Sequence, residues 1–323
     1  MNPSTTEEGH LKFALHPLSL SVPPPLYSHP AWVYLSHLNP RSRKTMARHL
    51  DAIASLLTGG VCDYLTLDWG KLRYPHTVLL RLELPKTYAP STVNQMLSAL
   101  KRVLGEARKL HLISSEDYGE TVEVEPLKTD SKSKGRLLAP REMAALMEVC
   151  RADGSLIGRR DLALLALLLG TGMRRAELVS LDVGDYQPTT GTLSIEQGKG
   201  GKSRLVYLPP TGAPILEGWL EVRGRAMGAL LMPISKGKRL QGRHLSEGAV
   251  LYILEKRGKE AGIEAFTPHD CRRTFISNLL DAGVDIVTVS QLAGHASVMT
   301  TAKYDRRGEA AKRAAVGLLN LPF

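Results

Sequence analysis

Six side chains in the second half of the sequence have the types and spacing of a reactive site. They are Arg174, Lys199, His269, Arg272, His295 and Tyr304. They sit in four short segments: Thr171-Gly172-Met173-Arg174-Arg175-Ala176-Glu177-Leu178, Gly198-Lys199-Gly200-Gly201-Lys202-Ser203-Arg204, Thr267-Pro268-His269-Asp270-Cys271-Arg272-Arg273 and Leu292-Ala293-Gly294-His295. Tyr304 follows nine residues after the last histidine. The set has no acidic member, so it suits a bound anion. A magnesium site needs clustered carboxylates, and the two histidines, 26 residues apart with no thiolate pair nearby, are a poor zinc set. No metal and no cofactor is expected. Guanidinium forks match the oxygens of a phosphate.

His269 and Arg272 stand at i and i+3, on one face of a helix. Thr267 as N-cap, Pro268 at the first helical position and Asp270 reaching back would place that face at a helix N-terminus, where free N–H groups also favour phosphate. Without a metal, attack on a phosphodiester needs an activated side-chain nucleophile, and Tyr304 is the candidate. A phenol ionises only near pH ~10 in water, but surrounding cations favour the phenolate. The resulting phosphotyrosine ester keeps the bond energy, so rejoining needs no ATP. Lys199, in a glycine-flanked turn, can protonate the leaving oxygen. Arg175 is the rival of Arg174, and Lys202 that of Lys199. Cys271 reads as a buried, inert thiol.

The elements that must hold these residues follow from pattern. Residues 1–29 are proline-rich and aperiodic and read as a flexible arm. Residues 30–122 read as a helical domain of about four helices. Ser42 is expected to cap one carrying Met46, Leu50, Ile53 and Leu57. Pro75 opens another, and Thr92 with Gln95 suggests a capping box for one carrying Val93, Leu97, Leu100 and Leu104. Residues 123–136 are polar and read as a linker. Residues 137–323 form the second domain. Helices are expected after Pro140, over Arg160–Leu169 (apolar nearly all round, hence central), and over Pro214–Arg225, Ser246–Ala261, Pro268–Ala282, Ile286–Leu292, Ser297–Tyr304 and Glu309–Leu319. Strands Thr192–Glu196 and Ser203–Leu208 make a hairpin around the lysine turn.

In their order and distances the four segments resemble the boxes of the tyrosine recombinase (phage integrase, Xer-like) family: T-G-x-R-x-x-E-L, a lysine in a β-hairpin turn, H-x-x-R, and G-H with a tyrosine nine residues on. The resemblance spans residues 171–304. A weaker one near Ser42 and Ser91 fits that family's helical core-binding domain. It implies a mainly α, two-domain protein, with an N-terminal helical (SAM-like) core-binding domain and a C-terminal α+β catalytic domain with a small β-hairpin or sheet. The two would close as a C-shaped clamp on double-stranded DNA. It implies a site-specific DNA recombinase acting through a 3′-phosphotyrosine intermediate. Arg174 and Arg272 would clamp the phosphate, His269 would handle the tyrosine's proton, and His295 would bond the phosphate. A homotetramer is expected on synapsed DNA, docked through the apolar tail Val316, Leu318, Leu319, Leu321 and Phe323. The alternatives are a type IB topoisomerase-like relaxing enzyme and a non-catalytic DNA-binding regulator on the same scaffold.

Composition agrees. The 323 residues carry 42 Lys+Arg against 32 Asp+Glu, a net +10 that suits a polyanion. The excess is +9 over residues 127–323 and only +1 over residues 1–126. Expected DNA contacts are Arg43, Lys44, Lys101 and Arg102 in the first domain, and Arg175, Lys202 and Arg273 in the second. Three scattered cysteines make neither a disulfide framework nor a zinc cluster. No apolar run approaches the ~20 residues that span a bilayer, and the opening MNPSTTEEGH is unlike a secretory signal. A cytoplasmic, nucleoid-associated location in a bacterial-type cell is therefore expected, with neither membrane nor small-molecule partner.

Overall fold

The computed structural model describes residues 16–128, 135–196, 203–309, 313 and 316–319. The chain divides into two compact units, Met1–Lys132 and Ser133–Phe323. No helix among the described residues is long and apolar enough to cross a membrane.

The first unit holds α1 (Pro30–Ser36), α2 (Pro40–Thr58), α3 (Tyr74–Glu83), α4 (Pro90–Lys109) and α5 (Ser115–Val122). Proline stands in the first turn of α1 to α4, where its missing N–H costs nothing. Two expected caps are corrected. Asn39, not Ser42, caps α2; its side chain accepts from the Ser42 amide at 2.9 Å. Helix α4 starts at Pro90 behind Ala89, so Thr92 lies inside the helix. Val93, Met96, Leu97, Leu100, Val103 and Leu104 of α4 recur at spacings of three and four and fill the core with Leu50 and Ile53 of α2. Residues 16–29, expected as part of a flexible arm, are docked on this core instead. The Leu20 amide donates to the Thr66 carbonyl and the Asp68 amide to Leu18, while Leu18 and His29 are buried.

The expected linker is anchored at both ends, each in its own unit. The amide of Leu127 donates to Asn94 at 2.8 Å. Arg136 donates to both oxygens of Glu142 and, through its amide, to Asp270. Residues 129–134 lie outside the described residues.

The second unit runs α6 (Pro140–Ala152), α7 (Leu156–Thr171), α8 (Arg175–Ser180), β1 (Tyr186–Gln187), β2 (Thr192–Ile195), β3 (Arg204–Tyr207), α9 (Ala213–Arg223), α10 (Glu247–Glu260), α11 (Pro268–Asp281), α12 (Ile286–Ala293) and α13 (Val298–Ala302). Helix α7 is its centre, packed by α6, α9 and α11, with Ala163, Leu164, Leu165, Leu167 and Leu168 all buried. It is longer than its pattern suggests because Ser155 caps it upstream. A buried ion cluster pins α7 to α10. Arg257 donates to Asp161 at 2.8 Å and to Asp153 at 2.6 Å, and Arg160 grips the other oxygen of Asp161. The sheet is antiparallel in the order β1-β2-β3, with Leu193 facing Val206. Its inner face buries Leu193, Ile195 and Val206, and Leu205 and Tyr207 face out.

Candidate active site

The N-terminus of α11 is built by its first four residues. The Thr267 amide and hydroxyl donate to Asp270 Oδ2 at 2.9 and 2.8 Å, and the Asp270 amide returns a bond to the threonine hydroxyl. This closes the first turn and aims His269, Arg272, Arg273 and Ile276 along one stripe. Arg272 is buried. Its Nη1 donates to the Gly172 carbonyl at 2.8 Å and its Nη2 to Ala293 at 2.5 Å, joining the first and last sequence boxes across the third.

Gly172 must be glycine. Its φ is +60°, and a Cβ there would stand 2.3 Å from the Phe275 ring. The left-handed turn ends α7 and delivers Arg174 to the site. Arg174 Nη2 donates to the Gly294 carbonyl at 2.8 Å and Nη1 to Glu177 Oε1 at 2.8 Å. Glu177 also accepts from the Arg174 amide and from both terminal nitrogens of Arg204. Burial alone would push its carboxyl up; the bonds from Arg204 and Arg174 hold it down at about 2.

His295 follows the left-handed turn at Gly294 and shares Nδ1 with the Thr301 hydroxyl at 2.8 Å. Tyr304 stacks near it, with ring centroids 6.1 Å apart and planes 16° from parallel. The Tyr304 hydroxyl lies 3.4 Å from His269 Nε2. The Arg273 guanidinium stands 5.4 Å from the Tyr304 ring centroid.

An open cavity of about 430 Å³ is lined by Arg174, Arg175, His269 and Arg272, with Glu247 and Leu251 also in its wall. Its charges press on one another. Burial, then Arg174, lowers Arg272 to about 10. Burial, then Arg272 and Arg174, lowers His295 to about 4. Burial, then Arg273 and Arg272, lowers His269. At neutral pH both imidazoles are thus uncharged and able to accept a proton, beside the Arg272 guanidinium, which remains charged.

The structure therefore brings together Arg174, His269, Arg272, His295 and Tyr304. Lys199 and Lys202 lie outside the described residues. Of the expected DNA contacts, Lys44 and Arg102 are exposed. Arg43 is directed elsewhere: it donates to the carbonyls of Leu35, Ser36 and Leu38, closing the end of α1. Lys101 donates to the Val124 carbonyl at 2.9 Å. Arg175 pairs with Glu247. Arg273 is buried beside Tyr304 instead of lying on the surface. Sequence reasoning assigned no role to Arg204, at the end of the second box, or to Thr301, between the last box and the tyrosine; Arg204 holds Glu177 and Thr301 holds His295.

The sequence profile of the phage integrase family matches residues 136–310, more than half of the chain. The chain belongs to the phage integrase family. Within that family, the tyrosine recombinase XerA of Pyrococcus furiosus is 34% identical over 175 residues, 54% of this chain and 58% of XerA. This chain thus spans little more than half the length of that relative. The tyrosine recombinase slr0733 of Synechocystis sp. is 29% identical over 282 residues, 83% of this chain and 86% of its own. The fold extends further than the sequence likeness. The Tn1549 transposon integrase, solved with a circular intermediate DNA, superposes with a TM-score of 0.68 at 14% identity, covering 90% of this chain and 99% of that one. The phage integrase match takes in all four boxes and the tyrosine.

Proposed function

We propose that this protein is a site-specific DNA recombinase that cuts and rejoins strands through a covalent 3′-phosphotyrosine intermediate, with neither metal nor ATP. The observation that carries this reading is the tyrosine hydroxyl 3.4 Å from His269, on a helix whose next turn brings Arg272 into a cavity shared with Arg174. Tyr304 attacks phosphorus and His269 accepts the phenol's proton. Arg174 and Arg272 stabilise charge on the non-bridging oxygens, and His295 bonds one of them. The bond to the 5′ oxygen breaks, and Lys199 protonates that oxygen. The reverse sequence, with a 5′ hydroxyl from a partner strand as nucleophile, reseals the DNA.

The family's pattern and the DNA-bound integrase of similar fold support double-stranded DNA as substrate. The core-binding domain, residues 30–122, and the catalytic domain, residues 137–323, would embrace it. Four copies acting in pairs, joined through the apolar tail, complete the proposal; Val316, Leu318 and Leu319 are exposed, while Leu321 and Phe323 lie outside the described residues.

The test is incubation with a nicked suicide DNA carrying the target site, followed by a denaturing gel. A covalent adduct is expected with the native protein and none with Tyr304→Phe, which should still bind DNA. No adduct with the native protein supports a DNA-binding regulator. Relaxation of supercoiled DNA without pairing of two sites supports a topoisomerase.

A further inference from the structure

Two adjacent arginines on α11 have different surroundings. Arg272 lines the cavity and is bonded to the Gly172 and Ala293 carbonyls. Arg273 is equally buried, at 3% exposure, but is not among the described residues lining that cavity. It stands four residues after His269, on the same stripe of the helix, and its guanidinium lies over the Tyr304 ring at 5.4 Å. That is within the ~6 Å range where a cation is attracted by an aromatic face. The Gly135 backbone closes in on another side: a Cβ there would meet Arg273 Nε at 3.3 Å and Nη2 at 3.4 Å. A guanidinium so enclosed is poorly placed to grip a DNA phosphate.

We infer that Arg273 is a positioning residue for the nucleophile, its guanidinium packed on the Tyr304 ring so that the phenol stays beside His269. This rests on the reading of Tyr304 as the attacking group. The ring carries its greatest negative charge as the proton leaves, so a cation against its face acts most strongly at that moment. A flat guanidinium also limits the swing of a side chain that follows the short helix α13.

The experiment compares Arg273→Gln and Arg273→Lys with the native protein on nicked suicide DNA. It reads the single-turnover rate of adduct formation, the DNA dissociation constant and its salt dependence. The Gln variant should cleave roughly tenfold more slowly, the size of a cation–ring contact. Its affinity and salt slope should stay within about twofold of native, because no phosphate contact is lost. The Lys variant, which keeps the charge, should recover most of the rate. The inference is overturned if the Gln variant cleaves at the native rate, if affinity and salt slope fall with the rate, or if Lys is no better than Gln. Should the Gln variant not fold, 3-fluorotyrosine at position 304 gives a second reading on the native and Lys proteins without DNA. A fluorine resonance that moves between them supports the contact, and one that does not move overturns it. Failure of the native protein itself to form an adduct would instead refute the proposed function.

Discussion

Arg204 and Glu177 form a two-point ion pair, Nη1 to Oε1 at 2.9 Å and Nη2 to Oε2 at 2.7 Å, with only 10% of each side chain exposed. The pair ties the start of β3 to α8, whose cap is Arg174. Arg204 also donates to the Leu292 carbonyl, so one guanidinium joins the sheet, the arginine turn and the end of α12. Replacing it by methionine removes two of the four bonds to a largely buried carboxylate and leaves it to Arg174 alone. We expect Arg204→Met to lose about 3 kcal/mol in urea unfolding and to cleave DNA at least tenfold more slowly. A loss under about 1 kcal/mol would show that solvent already screens the pair.

Gly294 has a φ of +64°, and a Cβ there would fall 2.8–2.9 Å from the Arg204 guanidinium. That guanidinium cannot swing aside without leaving Glu177. Gly294→Ala should therefore cost more than the ~1–2 kcal/mol of a left-handed alanine alone. Thermal unfolding of Gly294→Ala, with and without Arg204→Met, checks this. The two substitutions should not add, because they break the same contact.

Acid sensitivity should report on His295. Burial and the arginines hold its folded value at about 4, below the ordinary histidine value of 6.5. Above pH 6.5 it is neutral in both folded and unfolded chains and does not affect the balance. As pH falls from 6.5 towards 4, the unfolded chain takes up a proton that the folded one refuses, so stability drops through that window. His295→Gln should flatten the stability-versus-pH curve there; an unchanged slope would assign the loss to other groups, His269 among them.

Sulfate offers a simple probe of the cavity. Arg272 and Arg174 repel one another, and an anion between them relieves that repulsion. Added sulfate should raise the melting temperature of the native protein more than that of Arg272→Gln, after matching ionic strength with chloride. At 100 times its dissociation constant a site-bound ion adds about 2.7 kcal/mol. Equal shifts in both proteins would indicate only a general salt effect.

The site was legible in the sequence where it depends on local geometry. Thr267, Pro268 and Asp270 spell out a helix start, and the i, i+3 relation of His269 to Arg272 follows from helical rise alone. Of its supports, Glu177 beside Arg174 was legible from their i, i+3 spacing, and the rest were not. Arg204 meets Glu177 across 27 residues, and no periodicity encodes that meeting. The six residues of α8 and the two of β1 are too short to show a period, and both went unread. Proline explains the misplaced start of α2: at the first helical position it lets the helix begin two residues before the Ser that looks like a cap, and behind Pro90 it likewise puts Thr92 inside α4. Arg273 looked like a surface cation because its neighbour in space, Tyr304, is distant in sequence.

Arg272 rests on two peptide carbonyls, those of Gly172 and Ala293, and not on a carboxylate. Such dipoles fix the direction of a guanidinium without cancelling its field. The cavity, lined by Arg174, Arg175 and Arg272 against the Glu247 carboxylate, therefore keeps an excess of positive charge that a backbone phosphate would complement under the proposed function. Under that reading, binding the phosphate and balancing the charge of the site are one event, and a neutral ligand would leave Arg272 without a counter-charge.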